Sequence, residues 1–318
     1  MKKEYTTGLV YDEMFLRHDT GAGHPERPER LSAIMEKLKK TKQVDDLFMI
    51  APRKADLKWI EKVHSKEYIE HVENVCAAGE LNLDSMDTGV CRESYEIALY
   101  AAGGICAGAD AIMEKKVRNV FCAVRPPGHH AMPDQAMGFC LFGNAAITAR
   151  YVQEKYSLKK VLIIDWDVHH GNGTQHMFYD DPTVFYFSIH QYPHYPGTGS
   201  AAEKGSGAGE GFTLNVPHSG NAYDEEYIDV FSRILRVRAE EFDPDFIIVS
   251  AGFDAHADDP LGGMEITNEG YGNLAYIVKE IADTCCDGRV LVLLEGGYDL
   301  SALADSVYEV ISVMSRSN

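Results

Sequence analysis

Short apolar runs alternate with helical patterns through most of the sequence, and this alternation constrains the fold more than any other feature. Five runs are rich in Val, Ile, Leu and Phe, and between them apolar residues recur three and four positions apart. Strands that alternate with helices form a parallel sheet with helices on both faces. We therefore predict one α/β domain over residues 1–318. Its three layers are helices, a mostly parallel central sheet, and helices (α/β/α). The predicted strands are 120–124, 161–165, 184–188, 246–250 and 290–294. The predicted helices are 26–40, 65–79, 92–115, 143–156, 223–241, 267–283 and 299–315.

The chain is strongly acidic. Its 318 residues include 30 Lys and Arg against 49 Asp and Glu, which gives a formal net charge of −19. A nucleic-acid partner is not expected, because contacts with phosphates need a basic face. The acidity is compatible with a cationic substrate, although it is equally explained as a means of keeping the protein soluble.

The sequence also predicts where the protein resides. No stretch approaches 18 uncharged apolar residues, and the first residues lack the apolar segment of a signal peptide. The seven cysteines form no CxxC pair, which is typical of reduced thiols. We expect a cytoplasmic protein without a membrane partner, and the sequence predicts no particular oligomeric state.

Polar residues follow each of the five predicted strands. After Val161–Ile164, the alternation of an extended chain puts Asp165, Asp167 and His169 on one face. Two carboxylates and an imidazole this close would repel one another or lie half desolvated unless a cation held them together. Because the carboxyl ends of parallel strands meet at one edge of a sheet, the polar residues after the other strands should lie nearby. The pattern therefore predicts a metal site. A glycine-rich loop, 191–211, is expected to lie on the same side.

Five motifs carry a resemblance to a known family. They are RPPGHHA at 125–131, GFCLFGNAA at 138–146, DWDVHHGNGTQ at 165–175, AGFDAHADDPLGG at 251–263 and EGGYDL at 295–300. In this order the motifs resemble the zinc-dependent histone deacetylase superfamily, which includes acetoin-utilisation proteins and acetylpolyamine amidohydrolases. The resemblance covers about residues 8–310. It implies the arginase/deacetylase fold and hydrolysis of an N-acetylated amine.

The resemblance implies that Asp167, His169 and Asp254 bind the catalytic metal. Three protein ligands are the number found in catalytic zinc sites. Zn²⁺ is the expected ion, and Fe²⁺ is the alternative because mixed oxygen and nitrogen donors select weakly among transition metals. A structural K⁺ is implied as well. Its expected ligands are Asp165, Asp167, His169 and Ser188.

The resemblance also implies the catalytic groups. His129 and His130 match the family's tandem pair, the first oriented by Asp165 and the second paired with Asn172. Because Asn172 is neutral and Asp165 is charged, we predict the higher pKa for His129. Which histidine is the base and which the acid stays open. Tyr298 matches the tyrosine that stabilises the oxyanion.

A narrow substrate channel is implied too. Phe139 and Tyr195 match its aromatic walls, and Gly138 matches the residue whose carbonyl meets the substrate amide. Leu261 lies where one branch specialised for acetylpolyamines carries an acidic residue.

An apolar leucine cannot pair with a secondary ammonium, so acetyl-lysine of proteins or peptides, or another acylated amine, is favoured over acetylpolyamines. The alternative function is an amidohydrolase of acetylpolyamines or other small acylated amines. Asp84 and Asp87 are candidates for binding a peptide backbone or an ammonium, with helix caps as the alternative. Two other classes of function remain open. One is a non-catalytic acyl-lysine binding module, and the other is an arginase-like ureohydrolase, which needs two metal ions.

Overall fold

The computed structural model describes residues 6–316 and contains an eight-stranded sheet in which all neighbouring strands are parallel. The spatial order is β2-β1-β3-β8-β7-β4-β5-β6. This confirms the predicted parallel sheet. The strands are β1 (Thr7–Val10), β2 (Phe48–Ile50), β3 (Asn119–Cys122), β4 (Val161–Asp165), β5 (Val184–Gln191), β6 (Thr213–His218), β7 (Phe246–Ala251) and β8 (Val290–Leu294).

Helices cover the sheet and form two groups. Helix α10 packs against both α1 and α9, and α4 packs against α5. The result is the predicted three-layer α/β/α arrangement. The helices are α1 (Glu29–Lys40), α2 (Leu57–Ile60), α3 (Lys66–Ala78), α4 (Ser94–Met113), α5 (Asn144–Tyr156), α6 (Asn172–Met177), α7 (Asp224–Asp229), α8 (Arg236–Phe242), α9 (Asn268–Cys285) and α10 (Leu300–Met314). A π-helical segment, Val230–Leu235, joins α7 to α8 without a break.

The central strands are buried along their whole length. Every residue of β3, β4, β7 and β8 is buried, because helices exclude water from both faces of the sheet. Such strands need apolar side chains at successive positions rather than at alternate ones. Each fully buried Val, Leu or Ile contributes about 1.5–3 kcal/mol. This rigid layer holds the loops that follow the strands.

Helix α4 is apolar enough to be mistaken for a membrane span. The most apolar 18-residue stretch of this 20-residue helix has a mean hydropathy of 1.3, and 83% of that stretch is buried inside the protein. It contacts α5 and strands β1, β3 and β8. We therefore interpret it as a core helix.

Three strands, all of them at or near the sheet edges, were not predicted. Strand β2 has only three residues, and the outermost strand β6 carries a proline and three polar residues. Strand β1 contains Gly8, where an added Cβ would lie 2.8 Å from Ile50 Cδ1. Glycine is a poor strand former, but here it permits the close approach of β2.

The predicted start of the first helix was wrong. Helix α1 begins at Glu29 instead of residue 26, and Pro28 directly precedes its first turn. Glu26 lies in the preceding loop and is completely buried. Two short helices, α2 and α6, were also missed because four and six residues are too few for a periodic pattern.

Candidate active site

The candidate site lies where four neighbouring strands end. Strands β3, β8, β7 and β4 are adjacent in the sheet, and each is followed by one of the polar motifs. Ligands bind at this carboxyl edge in open α/β sheets. The order of the strands therefore brings together residues that lie far apart in the sequence.

Asp167, His169 and Asp254 converge below this edge. Their potential ligand atoms lie within 4.8 Å of one another, and all three residues are buried. His169 Nδ1 lies 3.0 Å from Asp167 Oδ1 and 3.1 Å from Asp254 Oδ2. Strand β4 ends at Asp165, so Asp167 and His169 meet in a bend rather than along an extended strand.

The second oxygen of each carboxylate has a backbone partner. The Val168 N–H donates to Asp254 Oδ1 at 2.9 Å, and the Gly296 N–H donates to Asp167 Oδ2 at 2.8 Å. These bonds orient the remaining oxygens toward His169. Gly296 is required here, because an added Cβ would lie 2.0 Å from Asp254 Oδ2.

The charge of this group favours a cation. Burial lowers the pKa of His169, but hydrogen bonds to Asp167 and Asp254 outweigh it and raise that pKa to about 10. Two buried carboxylates thus stabilise a positive charge at the position of the imidazole. Two oxygens and one nitrogen suit Zn²⁺, and they also suit Fe²⁺. The donor set therefore fits a single transition-metal ion.

The tandem histidines have different partners. His129 Nδ1 lies 3.1 Å from Asp165 Oδ2, and His130 Nδ1 lies 2.7 Å from Asn172 Oδ1. Although burial lowers the pKa of His129, the carboxylates of Asp167 and Asp165 raise it well above the ordinary value. Burial and the neighbouring histidines lower the pKa of His130 well below the ordinary value. A cationic and a neutral imidazole thus lie side by side.

Tyr298 follows β8 and lies almost completely buried at the same edge. Its ring packs edge-on against Phe139, with the centroids 5.9 Å apart, and the Arg30 guanidinium lies 5.0 Å from its ring centroid. Burial raises the pKa of Tyr298 well above the ordinary value. The hydroxyl is therefore protonated at neutral pH and can donate a hydrogen bond.

A narrow cavity of ≈110 Å³ reaches these groups. All four residues predicted for the substrate channel line it, together with one metal-ligand candidate, one of the tandem histidines and Tyr298. The lining residues are Asp87, His130, Gly138, Phe139, His169, Tyr195, Leu261 and Tyr298. Gly138 has a φ of +55°, and a Cβ there would lie 2.2 Å from His130 Cδ2. The close packing of Gly138 and His130 keeps the cavity narrow.

The two candidate aspartates for substrate binding differ in position. Asp87 lines the cavity, whereas Asp84 is not among the lining residues. Asp84 instead accepts hydrogen bonds from the Ala136 N–H at 2.8 Å and from His71 Nε2 at 2.7 Å. Neither aspartate caps the following helix, since Glu93 directly precedes α4.

The residues implied for K⁺ are neighbours: Asp165 Oδ1 accepts a hydrogen bond from the Asp167 N–H, and Asp167 Oδ1 accepts one from the His169 N–H. Asp165 pairs in register with Ser188 on β5. Ser188 Oγ is 2.8 Å from His190 Nδ1, and Asp165 Oδ2 also accepts a hydrogen bond from Tyr186. The K⁺ site stays a prediction.

Several buried charges around the site were not predicted. Glu26 binds both Arg125 and Arg30, and Arg30 donates to the backbone carbonyls of Glu295 and Gly297. Glu295 in turn accepts hydrogen bonds from the Gly128 and His129 N–H groups. Burial raises the pKa of Glu295 to about 7. The charged segment before α1 was the available signal, but it was assigned to the helix.

Comparison with known proteins identifies the family of this chain. The histone deacetylase domain family matches residues 24–314. A probable deacetylase of Archaeoglobus fulgidus is 38% identical over 312 residues, which are 97% of this chain and 86% of the relative. Histone deacetylase 5 of Arabidopsis thaliana is 39% identical over 98% of this chain, which spans 49% of that relative.

A solved structure is similar as well. The crystal structure of the HDA15 HD domain superposes with a TM-score of 0.92 at 41% identity, covering 98% of this chain and 89% of that one. These matches support deacetylation as the general class of reaction, and the chain belongs to the histone deacetylase family.

Proposed function

We propose that the protein is a zinc-dependent deacetylase that hydrolyses acetyl-lysine side chains of proteins or peptides to free lysine and acetate. The observation that carries this proposal is the set of groups around one narrow cavity. His130, His169 and Tyr298 face it together with Phe139 and Tyr195. A base, a metal ligand and a hydroxyl donor thus meet at the end of an aromatic-walled passage, which suits a linear alkyl chain.

Asp167, His169 and Asp254 would hold the ion. A bound Zn²⁺ would polarise the acetyl carbonyl and lower the pKa of water. The rest of the chemistry belongs to side chains of the chain itself.

His130 is the proposed proton acceptor. Its Nδ1–H donates to Asn172, which leaves the Nε2 lone pair free. The lowered pKa keeps this imidazole neutral before the reaction. His130 therefore takes the proton from the attacking water and then delivers it to the departing lysine nitrogen. His129, held as a cation by Asp165, adds positive charge beside the forming oxyanion.

Tyr298 is the proposed hydrogen-bond donor to the substrate oxygen. Its protonated hydroxyl lies at the cavity, and its ring is fixed between Phe139 and Arg30. A preorganised donor of this kind contributes about 3–4 kcal/mol to the transition state.

The cavity wall favours acetyl-lysine over acetylpolyamines. Leu261 offers no charge to a secondary ammonium. The net charge of −19 favours substrates in which the acetyl-lysine lies within a basic, lysine-rich peptide. Asp87 at the cavity can accept hydrogen bonds from the backbone of such a peptide.

The test is release of acetate from an acetyl-lysine peptide by zinc-loaded protein. Acetylated polyamines and small acylated amines serve as the competing substrates. We expect the peptide to have the highest kcat/KM. Tyr298→Phe should lower kcat about 10²–10³-fold while the peptide still binds. Binding of the peptide without turnover in the zinc-loaded wild type would favour a reader module and reject the enzyme.

A further inference from the structure

A buried carboxylate joins the two loops that carry Tyr298 and the cavity wall. Asp259 lies after β7 and is 7% exposed. Its Oδ2 accepts a hydrogen bond from the Tyr298 N–H at 2.6 Å, and its Oδ1 accepts one from the Leu261 N–H at 2.9 Å. The Asp299 N–H adds a longer bond of 3.3 Å to Oδ2. Asp259 thus fixes main-chain atoms of two residues that line the cavity.

The two loops depend on this carboxylate to different extents. The Leu261 carbonyl also accepts a hydrogen bond from His194 Nε2 at 3.1 Å, so this residue is held from both sides. Residues 295–299 form no helix or strand; Arg30 and Asp167 bind the backbone of residues 295–297, and Asp259 binds the N–H of Tyr298 itself. A buried N–H without a partner is costly, so the position of Tyr298 depends strongly on Asp259.

We infer that Asp259 is a positioning residue for the reaction, which places the Tyr298 hydroxyl against the substrate oxygen. This inference rests on the proposed function of Tyr298. Asp259 is not one of the three residues whose ligand atoms converge, and both of its carboxylate oxygens accept hydrogen bonds from backbone N–H groups. It therefore acts through Tyr298 and does not touch the substrate.

Replacement by asparagine isolates this effect. An asparagine keeps one acceptor oxygen but replaces the other by an NH₂ group, so it cannot accept from the Tyr298 and Leu261 N–H groups at the same time. Asp258→Asn is the matched control, because the neighbouring Asp258 side chain is 77% exposed. The two variants make the same change of side chain one residue apart.

The experiment compares zinc-loaded wild type, Asp259→Asn and Asp258→Asn on the acetyl-lysine peptide. In Asp259→Asn we expect kcat to fall about 10–100-fold while KM stays within about threefold of the wild-type value. A misplaced catalytic group lowers the rate rather than the binding of substrate. Asp258→Asn should behave as the wild type. In a Tyr298→Phe background, Asp259→Asn should cost no more than about a further twofold, because the two residues act as one unit.

Several results would overturn the inference. One is an equal kcat in Asp259→Asn and Asp258→Asn. Another is a fall in kcat on adding Asp259→Asn to Tyr298→Phe that is as large as the fall in the wild-type background. A crystal structure of Asp259→Asn adds a readout that does not depend on turnover. We expect Tyr298 to shift away from the cavity, and an unmoved Tyr298 rejects the inference even if no acylated peptide is a substrate.

Folding of the variant is checked by circular dichroism and zinc content. If Asp259→Asn does not fold, Asp259→Glu is measured in the same way. It keeps the charge but moves the carboxylate by one methylene, so a reduced kcat is expected, and wild-type kcat would contradict a positioning role.

Discussion

Two adjacent histidines have opposite charge preferences because their second nitrogen meets different partners. Asp165 is a carboxylate, whereas Asn172 is a neutral amide. A charge within hydrogen-bond distance favours imidazolium, and an amide does not. In the proposed mechanism, the division of roles between His129 and His130 is thus set by Asp165 and Asn172.

Asn172→Asp should therefore raise the pKa of His130. The added carboxylate would stabilise the imidazolium form, while the pKa of His129 stays the higher of the two. NMR titration of the labelled imidazoles measures both values. A His130 pKa that does not respond to the replacement would contradict this electrostatic explanation.

His64 is a residue at which pH should change stability. Its Nε2 accepts a hydrogen bond from the Gly143 N–H at 2.8 Å, and its Nδ1 lies 3.3 Å from the Pro133 carbonyl. Burial lowers the pKa of His64 to about 4. The unfolded state, with a pKa near 6.5, therefore binds the proton first as the pH falls.

The neutral His64 thus contributes stability above pH ~6.5 that is lost as the pH falls toward ~4, about 3 kcal/mol in total. His64→Gln should flatten the dependence of the free energy of unfolding on pH in this window. Urea denaturation at a series of pH values measures it, with His176→Gln as the exposed control. An equally steep dependence in His64→Gln would show that other groups control acid unfolding.

At the scale of elements, the strand ends and the glycines after them determine the site. The Gly296 N–H binds Asp167, and the absent side chain leaves room for both carboxylates. Gly296→Ala would put a Cβ 2.6 Å from Asp167 Oδ2 as well as against Asp254.

We expect Gly296→Ala to weaken zinc binding about 10–100-fold, as removal of supporting contacts does at other metal sites. Competition with a chelator measures the affinity. Gly272→Ala on α9 is the control, because its nearest neighbour would lie 3.5 Å away. Equal affinity in both variants would refute the packing argument.

The strand-end motifs were predictable from sequence because their residues lie within a few positions of strongly apolar strands. The predicted runs 161–165 and 290–294 coincide with β4 and β8. Strands β2 and β6 were not predictable, since an edge strand is stabilised by its neighbour more than by its own composition. Asp259 was missed for a related reason: its partner Tyr298 is 39 residues away, and no local pattern marks such a contact.

At the scale of the whole molecule, a buried ion cluster ties the segment before α1 to the carboxyl edge of the sheet. Glu26 binds Arg125 through both carboxylate oxygens and also binds Arg30. Although burial alone would raise it, these guanidiniums lower the pKa of Glu26 to about 2. Arg30 continues the connection to the backbone beside Tyr298.

Glu26→Gln should lower the free energy of unfolding by about 3–5 kcal/mol, because two buried guanidiniums lose their counterion. Glu93→Gln removes an exposed partner of Arg17 and should cost less than about 1 kcal/mol. Chemical denaturation of both variants measures the difference. Similar small losses would mean that the buried cluster does not stabilise the fold.

The central claim is that one metal ion held by Asp167, His169 and Asp254 supports hydrolysis of acetyl-lysine. Titration of metal-free protein with Zn²⁺, with acetate release followed from the acetyl-lysine peptide, tests it most directly. The account predicts that activity rises to a plateau at one equivalent and that Asp254→Asn abolishes the rise. Full activity without metal, or a plateau only at two equivalents, would contradict it.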